Sequence, residues 1–237
     1  MTDDSRAPHI HHLRVRRTAR YYTLGGSAST AGATRTVWLV LHGHSQLAGV
    51  FIRFFGDLAT DDTLVIAPEA MNRYYLVGPE RAPASERPVG ATWMTREDRA
   101  SEIADYVEYL DTLYDDVIAE RVRAGAQLNV IGFSQGAATA TRWLVHGRAP
   151  VQRLVLWGGL LPPETDLSRA NERLRRTALT IVIGRRDQYI DEDALGAERA
   201  RLDAAGLPYE LVRFDGGHVI TRSVFPRLRE LTGASDR

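Results

Sequence analysis

The sequence predicts one α/β domain built on a mainly parallel, doubly wound sheet. Short apolar runs rich in β-branched residues recur along the chain, with helical patterns between them. Such alternation is typical of a parallel sheet with helices on both faces. The length of 237 residues and the hydrophobic share of 44% are enough for a single domain with a full core, and we find no internal repeat or domain linker.

Six apolar runs are predicted as buried strands because they are too short for helices. They lie at residues 36–41, 63–67, 128–131, 153–157, 179–183 and 209–214. Ahead of them, residues 13–24 alternate apolar and polar side chains around Thr18, which predicts two short antiparallel edge strands. Since ligand sites in such sheets lie beyond the carboxyl ends of the strands, we expect the chemistry in the loops that follow these runs.

Helical patterns fill most of the intervals between these strands. Helices are predicted at residues 48–60, 135–146, 191–205 and 221–231. A longer helix begins in a capping arrangement near Thr95 and Asp98 and extends towards Gly125. Its apolar residues recur every three to four positions, so we expect this stripe to face the core.

One connection, residues 68–95, is abnormally long. It contains four prolines and the aromatic residues Tyr74, Tyr75 and Trp93. Loops longer than about 15 residues are usually functional or disordered. The aromatic content favours a packed rim or partial cap over a pocket, with Tyr74 and Tyr75 as candidate substrate contacts.

The composition excludes several kinds of chemistry. All 30 basic residues are arginines, so mechanisms that need a lysine amine, such as Schiff-base chemistry, are absent. The chain has no cysteine, which removes thiolate nucleophiles, disulfides and cysteine-ligated metals. The formal charge of zero gives no electrostatic footprint for nucleic acid, so we expect a small-molecule substrate and no nucleic-acid partner.

The sequence also carries no targeting signal that we recognise. Its first twelve residues lack the apolar run of a secretory signal. No stretch of about 18 apolar residues could cross a bilayer. We therefore expect a cytoplasmic protein without integral membrane association, and the sequence leaves a homodimer open.

The strongest chemical signal is the pentapeptide Gly-Phe-Ser-Gln-Gly at residues 132–136, a G-x-S-x-G pattern. It follows a predicted buried strand and precedes a predicted helix, which is the context of a nucleophile elbow. The flanking positions must be small because the strand and helix backbones pass close to them. The pattern predicts Ser134 as a catalytic nucleophile.

A serine nucleophile needs a base and an acid that orients the base. His218 is the only one of the seven histidines that follows the last predicted strand, and glycines precede it. Asp187 comes directly after the strand at 179–183 and is the candidate acid. Asp191 is the main alternative, although Asp191 and Asp193 fit the start of the next helix better.

Two main-chain N–H groups are expected to stabilise the negative oxygen of a tetrahedral intermediate. One belongs to Gln135, which follows the nucleophile, and the other to His44 in the His-Gly turn after the strand at 36–41. His42, His44 and His218 could suggest a metal, but the sequence lacks a metalloprotease helix or an evident carboxylate partner. We expect no metal and no cofactor.

With Leu-His-Gly at residues 41–43, the elbow, Asp187 and His218 in this order, the chain resembles the α/β-hydrolase superfamily. More narrowly, it resembles the phospholipase/carboxylesterase family, which includes the acyl-protein thioesterases, over residues 36–232. The resemblance implies a metal-free serine esterase or thioesterase with the roles given above. It also implies that Trp93 stands near the site and that Leu160 and Leu161 line an acyl pocket.

Two departures concern the substrate side. The His-Gly turn continues with His44, Ser45 and Gln46 where many relatives have a hydrophobic residue followed by Gly and Asp, and the 68–95 connection is rich in Arg and Glu. We therefore expect an enzyme that cleaves esters of small to medium acyl chains through an acyl-serine. The alternatives are an acyl-protein thioesterase or lysophospholipase, and a hydrolase-fold binding protein with little turnover. Peptidases, lactonases and cofactor-free haloperoxidases share the same triad.

Overall fold

The computed structural model describes residues 8–26, 34–77 and 83–232. Strands in these ranges are β1 (Tyr21–Gly25), β2 (Thr36–Leu41), β3 (Thr63–Pro68), β4 (Asn72–Tyr75), β5 (Val89–Thr92), β6 (Gln127–Phe133), β7 (Arg153–Trp157), β8 (Ala178–Gly184) and β9 (Tyr209–Phe214). Seven of them form one sheet in the order β1-β3-β2-β6-β7-β8-β9, and β4 and β5 form a separate hairpin. In the large sheet only β1 is antiparallel to its neighbour.

Helices connect the parallel strands. They are α1 (Ala48–Phe51), α2 (Arg99–Leu113), α3 (Ala119–Arg123), α4 (Gln135–His146), α5 (Leu167–Arg176), α6 (Glu192–Ala204) and α7 (Phe225–Thr232). A 3₁₀ helix, Ile52–Leu58, continues α1, and a π-helical turn, Tyr114–Ile118, joins α2 to α3. None of the helices in the described part of the chain is long and apolar enough to cross a membrane.

The sheet is buried on both faces, and β2 shows how. Val37, Leu39 and Leu41 belong to the core beneath α2 and α4, whereas Trp38 and Val40 belong to the core beneath α1 and α7. All five side chains are at most 2% exposed. Because successive side chains of a strand point to opposite faces, an unbroken apolar run fits a sheet covered twice. This confirms the predicted doubly wound α/β class.

The prediction of two edge strands within residues 13–24 is wrong for its first half. Only β1 forms there, and residues 13–20 contain no strand. Arg14 instead donates to Glu108 on α2 and Arg17 to Asn72, while Leu13 and Val15 remain exposed. The alternating pattern therefore comes from arginines that bond to residues far along the chain. The segment itself has no buried face.

The helices also depart from prediction in places. The predicted helix at 48–60 is α-helical only over α1, and α5 was not predicted because its sequence is mostly polar and carries four arginines. The long helix begins at Arg99, but Asp98 makes no side-chain cap and instead contacts His12. The 68–95 connection contains the β4–β5 hairpin, which the sequence did not reveal.

Candidate active site

Ser134 occupies the turn between β6 and α4 in a strained conformation. Its φ of 54° and ψ of −118° lie in a region that non-glycine residues rarely adopt. The turn is held because Ser134 N–H donates to the carbonyl oxygen of Trp157 at 2.9 Å. The backbone thus presents the serine at the carboxyl edge of the sheet, as an elbow requires.

The glycines on either side of Ser134 are required by close backbone contacts. A Cβ on Gly132 would lie 2.3 Å from the carbonyl oxygen of Gly136, and a Cβ on Gly136 would lie 2.2 Å from the carbonyl oxygen of Leu41. Gly159 is similarly crowded, since its Cβ would lie 2.6 Å from the Cβ of Ala137. These contacts confirm that the positions flanking the serine must be small.

Asp187 and His218 form a buried pair in the loops after β8 and β9. Asp187 Oδ2 lies 2.9 Å from His218 Nδ1, and the two side chains are 1% and 9% exposed. The other carboxylate oxygen, Oδ1, accepts hydrogen bonds from the N–H groups of Tyr189 and Ile190 at 2.9 and 3.2 Å. A carboxylate can only accept, so Nδ1 carries the proton and Nε2 has a lone pair.

The alternative acid Asp191 and the nearby Asp215 have different partners. Asp191 Oδ1 accepts from the N–H of Ala194 at 2.8 Å and so caps the amino end of α6. Asp215 forms an ion pair with Arg186. The geometry therefore favours Asp187 over Asp191 as the partner of His218.

Ser134 and His218 are neighbours across the turn that follows β7. A Cβ on Gly158 would lie 2.9 Å from His218 Cε1, and a Cβ on the next residue, Gly159, would lie 3.0 Å from the carbonyl oxygen of Ser134. The ring of Phe133 also packs on the imidazole, with centroids 4.9 Å apart. Over the described ranges, no hydrogen bond joins Ser134 to His218.

The turn after β2 lies against the serine. A Cβ on Gly43 would be 3.1 Å from Ser134 Cβ, so the chain passes directly beside Ser134. Gln46 Oε1 accepts the N–H of Gly43 at 2.8 Å, which occupies that donor. Within residues 8–26, 34–77 and 83–232, no hydrogen bond uses the N–H of His44 or of Gln135. These are the two donors that the sequence predicted for an oxyanion.

Strand β5 holds both sides of this arrangement together. Ser45 N–H donates to the carbonyl oxygen of Ala91 at 2.9 Å, and Trp93 Nε1 donates to the carbonyl oxygen of His42 at 2.9 Å. On the other side, Gln135 Oε1 accepts from the N–H of Trp93 at 3.0 Å. The Gln135 amide group also donates to the carbonyl oxygen of Met94 at 2.8 Å. The end of β5 is thus bonded to the turn after β2 and to the first residue of α4.

His42 is a buried structural residue. Its Nε2 accepts the N–H of Ala70 at 3.1 Å, so Nδ1 carries the proton and donates to the carbonyl oxygen of Gly43 at 2.7 Å. Burial lowers the pKa of His42 to about 4, although the Gly43 contact and the charge of Glu69 oppose the shift. Both ring nitrogens are occupied, which leaves no lone pair for a metal. No cluster of three or more potential metal ligands occurs in the part of the chain that the structure describes.

The residues expected to touch substrate differ in their exposure and in their distance from the turn after β2. Trp93 and Leu161 are 2% and 3% exposed and offer no open surface, whereas Leu160 is half-buried. Tyr74 lies on the inner side of the hairpin, where its hydroxyl is 2.8 Å from His44 Nε2 and 2.6 Å from Ser45 Oγ. Tyr75 points the other way and is exposed.

A cavity of about 250 Å³ opens beside the turn after β2. Its lining residues come from that turn, from α1 and its 3₁₀ extension, and from the hairpin: Ser45, Gln46, Leu47, Val50, Phe51, Phe54 and Val89. The sequence did not single out these residues, because a groove between three separated segments leaves no local pattern. Phe51 also packs against Phe133, which connects the cavity wall to the elbow.

The comparisons with known proteins identify the family and the fold. Residues 30–231 match the model of the phospholipase/carboxylesterase family. The match covers most of the chain, so the protein belongs to this family, and membership indicates a hydrolase. This confirms the resemblance drawn from the motifs. No curated protein matches the chain.

Solved structures share the fold at low sequence identity. Zea mays acyl-protein thioesterase 2 is 17% identical with a TM-score of 0.66, over 92% of this chain and 99% of that one. Esterase PE8 is 20% identical with a TM-score of 0.61, over 92% and 99%. Arabidopsis thaliana SOBER1 is 18% identical with a TM-score of 0.62, over 83% and 97%. At these identities the likeness establishes the fold.

The close approach at Gly136 should be measurable as stability. Gly136→Ala places a Cβ 2.2 Å from the Leu41 carbonyl oxygen, so the free energy of unfolding should fall by about 1–3 kcal/mol in urea titrations. The matched control is Gly196→Ala in α6, where a Cβ meets nothing within 4 Å and should stabilise by about 0.4–1 kcal/mol. Equal stabilisation by both changes would contradict the contact.

His42 should make the stability depend on pH. Its pKa is about 4 in the folded protein and about 6.5 in the unfolded chain, so only the unfolded chain binds the proton between these values. The free energy of unfolding should therefore decrease as the pH falls from 6.5 to 4.5, by roughly 1–3 kcal/mol from this residue.

The measurement compares wild type with His42→Gln, whose side-chain oxygen can still accept the N–H of Ala70. Urea unfolding at several pH values gives the slope for each protein. Wild type should lose stability more steeply than the variant below pH 6.5, because only wild type has the titrating ring. Parallel plots of the free energy of unfolding against pH for the two proteins would show that folding does not shift the pKa of His42.

Proposed function

We propose that the protein is a serine hydrolase that cleaves carboxylic esters through an acyl-serine intermediate. Ser134 is the nucleophile, His218 the general base, and Asp187 the acid that orients it. The observation that carries the proposal is the buried contact between Asp187 and His218 at 2.9 Å, one glycine pair away from a serine held at a strained elbow. A surface histidine would need neither the burial nor the fixed tautomer.

In the acylation step, Ser134 Oγ attacks the carbonyl carbon of the ester while His218 Nε2 takes the hydroxyl proton. The carbonyl oxygen becomes negative, and the N–H groups of His44 and Gln135 donate to it. The intermediate then collapses: the bond between the carbonyl carbon and the alcohol oxygen breaks, and His218 gives its proton to the departing alcohol. Asp187 stays ionised and stabilises the imidazolium.

In the deacylation step, water replaces the alcohol. His218 takes a proton from the water as it attacks the acyl carbon, and it returns a proton to Ser134 Oγ when the bond to the serine breaks. The products are a carboxylic acid and the free enzyme. No cofactor takes part in either step.

The bonds of β5 give the oxyanion donors their rigidity. Catalytic donors are effective when they are already oriented before the charge develops. Here Ala91 of β5 bonds to Ser45, and Trp93 after β5 bonds to the Gln135 side chain, so both main-chain segments that carry the donors are held. We therefore assign the Gln135 side chain to positioning and its N–H to the oxyanion.

The cavity beside the His44 turn supports a small to medium acyl group. Five of its seven lining residues are apolar, and its volume of about 250 Å³ lies below the roughly 300–1,000 Å³ that enclose drug-sized ligands. The β4–β5 hairpin forms one wall through Val89, and so serves as the rim of the pocket. A palmitoyl chain would extend beyond this apolar lining.

Removal of the Ser134 hydroxyl should abolish turnover. For Ser134→Ala, kcat should fall at least about 10³-fold for p-nitrophenyl butyrate, since the acyl-serine cannot form. The urea unfolding midpoint of Ser134→Ala should change no more than that of an ordinary surface substitution. The matched control is Ser168→Ala, at an exposed serine on α5, and this variant should keep full activity. Turnover that persists in Ser134→Ala would eliminate the proposal.

The acyl preference follows from the cavity volume. Across p-nitrophenyl esters from acetyl to palmitoyl, kcat/KM should peak at short or medium chains and fall for the longest ones, because the apolar lining ends. A continuous rise to palmitoyl would instead indicate a lipid or acyl-protein thioesterase substrate. Saturable ester binding without any turnover would indicate a hydrolase-fold binding protein.

A further inference from the structure

Two exposed apolar side chains stand beside His218. Tyr189, in the loop after β8, is 69% exposed, and Val219, the chain neighbour of His218, is 51% exposed. The Tyr189 ring meets the imidazole edge to face, with centroids 4.6 Å apart and an interplanar angle of 69°. The imidazole thus lies between Phe133, which is buried, and Tyr189, which is open to solvent.

Tyr189 is held in this place by the same carboxylate that orients the base. Its N–H donates to Asp187 Oδ1 at 2.9 Å, while Asp187 Oδ2 contacts His218. Val219 is fixed as well, because its carbonyl oxygen accepts from Trp157 Nε1 at 3.0 Å. The main chain of both residues therefore has a defined position relative to the base, and the Tyr189 ring contacts the imidazole directly.

The proposed reaction determines which part of the substrate passes this surface. His218 must protonate the departing alcohol oxygen, so the alcohol part lies on the side of the imidazole. In that reaction the carbonyl oxygen faces the N–H of His44, and the next residue, Ser45, lines the cavity proposed for the acyl group. The two halves of the ester thus point in different directions, and Tyr189 and Val219 lie on the alcohol side.

We propose that Tyr189 and Val219 form a leaving-group subsite and that the enzyme prefers esters of aromatic alcohols. An exposed tyrosine ring offers an apolar, π-rich face that favours another aromatic ring over an aliphatic one of equal size. Arg186 and Asp215, charged residues of the same two loops, pair with each other. The proposal rests on the ester hydrolase function proposed above and adds the class of alcohol.

The test compares benzyl butyrate with cyclohexylmethyl butyrate. Both esters give the same butyryl-serine, so the ratio of their kcat/KM values reports only on the alcohol part. Wild type should favour the benzyl ester by about 2- to 10-fold, the range expected for an aromatic pair. Tyr189→Leu should bring the ratio close to one, and Tyr189→Phe should keep the wild-type ratio.

Tyr21→Leu is the matched control, because Tyr21 is an exposed tyrosine on β1, at the other edge of the sheet from β9. It should leave the ratio unchanged. Product inhibition gives an independent reading: benzyl alcohol should inhibit wild-type hydrolysis of p-nitrophenyl butyrate more strongly than cyclohexylmethanol does, and this difference should vanish in Tyr189→Leu.

The outcomes separate the subsite from the function. Turnover that depends on Ser134 but shows a wild-type ratio of one, or a ratio that Tyr189→Leu does not change, overturns the subsite and leaves the hydrolase intact. A ratio lost equally in Tyr189→Phe overturns the role of the ring face, since only the hydroxyl was removed. No turnover of either ester that depends on Ser134 overturns both proposals.

Discussion

The close contact between the start of α4 and the end of β2 is the constraint on which the site depends. A Cβ at Gly136 would lie 2.2 Å from the carbonyl oxygen of Leu41 and 2.8 Å from that of His42, so the helix can begin there only with glycine. The contact brings the turn after β2 beside Ser134, and it brings the N–H groups of His44 and Gln135 to the same edge of the sheet. In the proposed mechanism, this approach is what places the serine and the two donors around one reacting carbon.

The second constraint is β5, which lies outside the main sheet. Ala91 of β5 bonds to Ser45, and Trp93, the residue after β5, bonds to His42 and Gln135, so this stretch joins both segments that carry the proposed oxyanion donors. The buried, neutral His42 completes this frame, because its two ring nitrogens join the turn after β2 to the segment after β3. A polar network that is fully bonded can hold a strained turn, such as the one at Ser45 with a φ of 67°, in one conformation.

The sequence was sufficient for features that follow from local rules. Apolar runs located the parallel strands. Ser134, Asp187 and His218 were chosen as candidates because chemistry follows the carboxyl ends of such strands, and the structure places all three at that edge. The sequence did not predict the features that depend on contacts between distant segments. No periodicity or motif marks the β4–β5 hairpin, the bond from the Gly43 N–H to Gln46, the cavity at Val50 and Phe54, or the ring of Tyr189 on His218. The strand predicted within residues 13–20 does not form, because the alternation there comes from arginines and not from a buried apolar face.

Direct detection of the acyl-enzyme tests the account most sharply. Intact-protein mass spectrometry of wild type mixed briefly with p-nitrophenyl butyrate, followed by acid quenching and peptide mapping, should show one butyryl group on the peptide that contains Ser134, and Ser134→Ala should show none. The adduct should accumulate in Asp187→Asn only slowly, because the imidazole then loses its fixed tautomer. Hydrolysis by wild type without any covalent adduct, or a butyryl group on another residue, would contradict the assignment of Ser134 as the nucleophile.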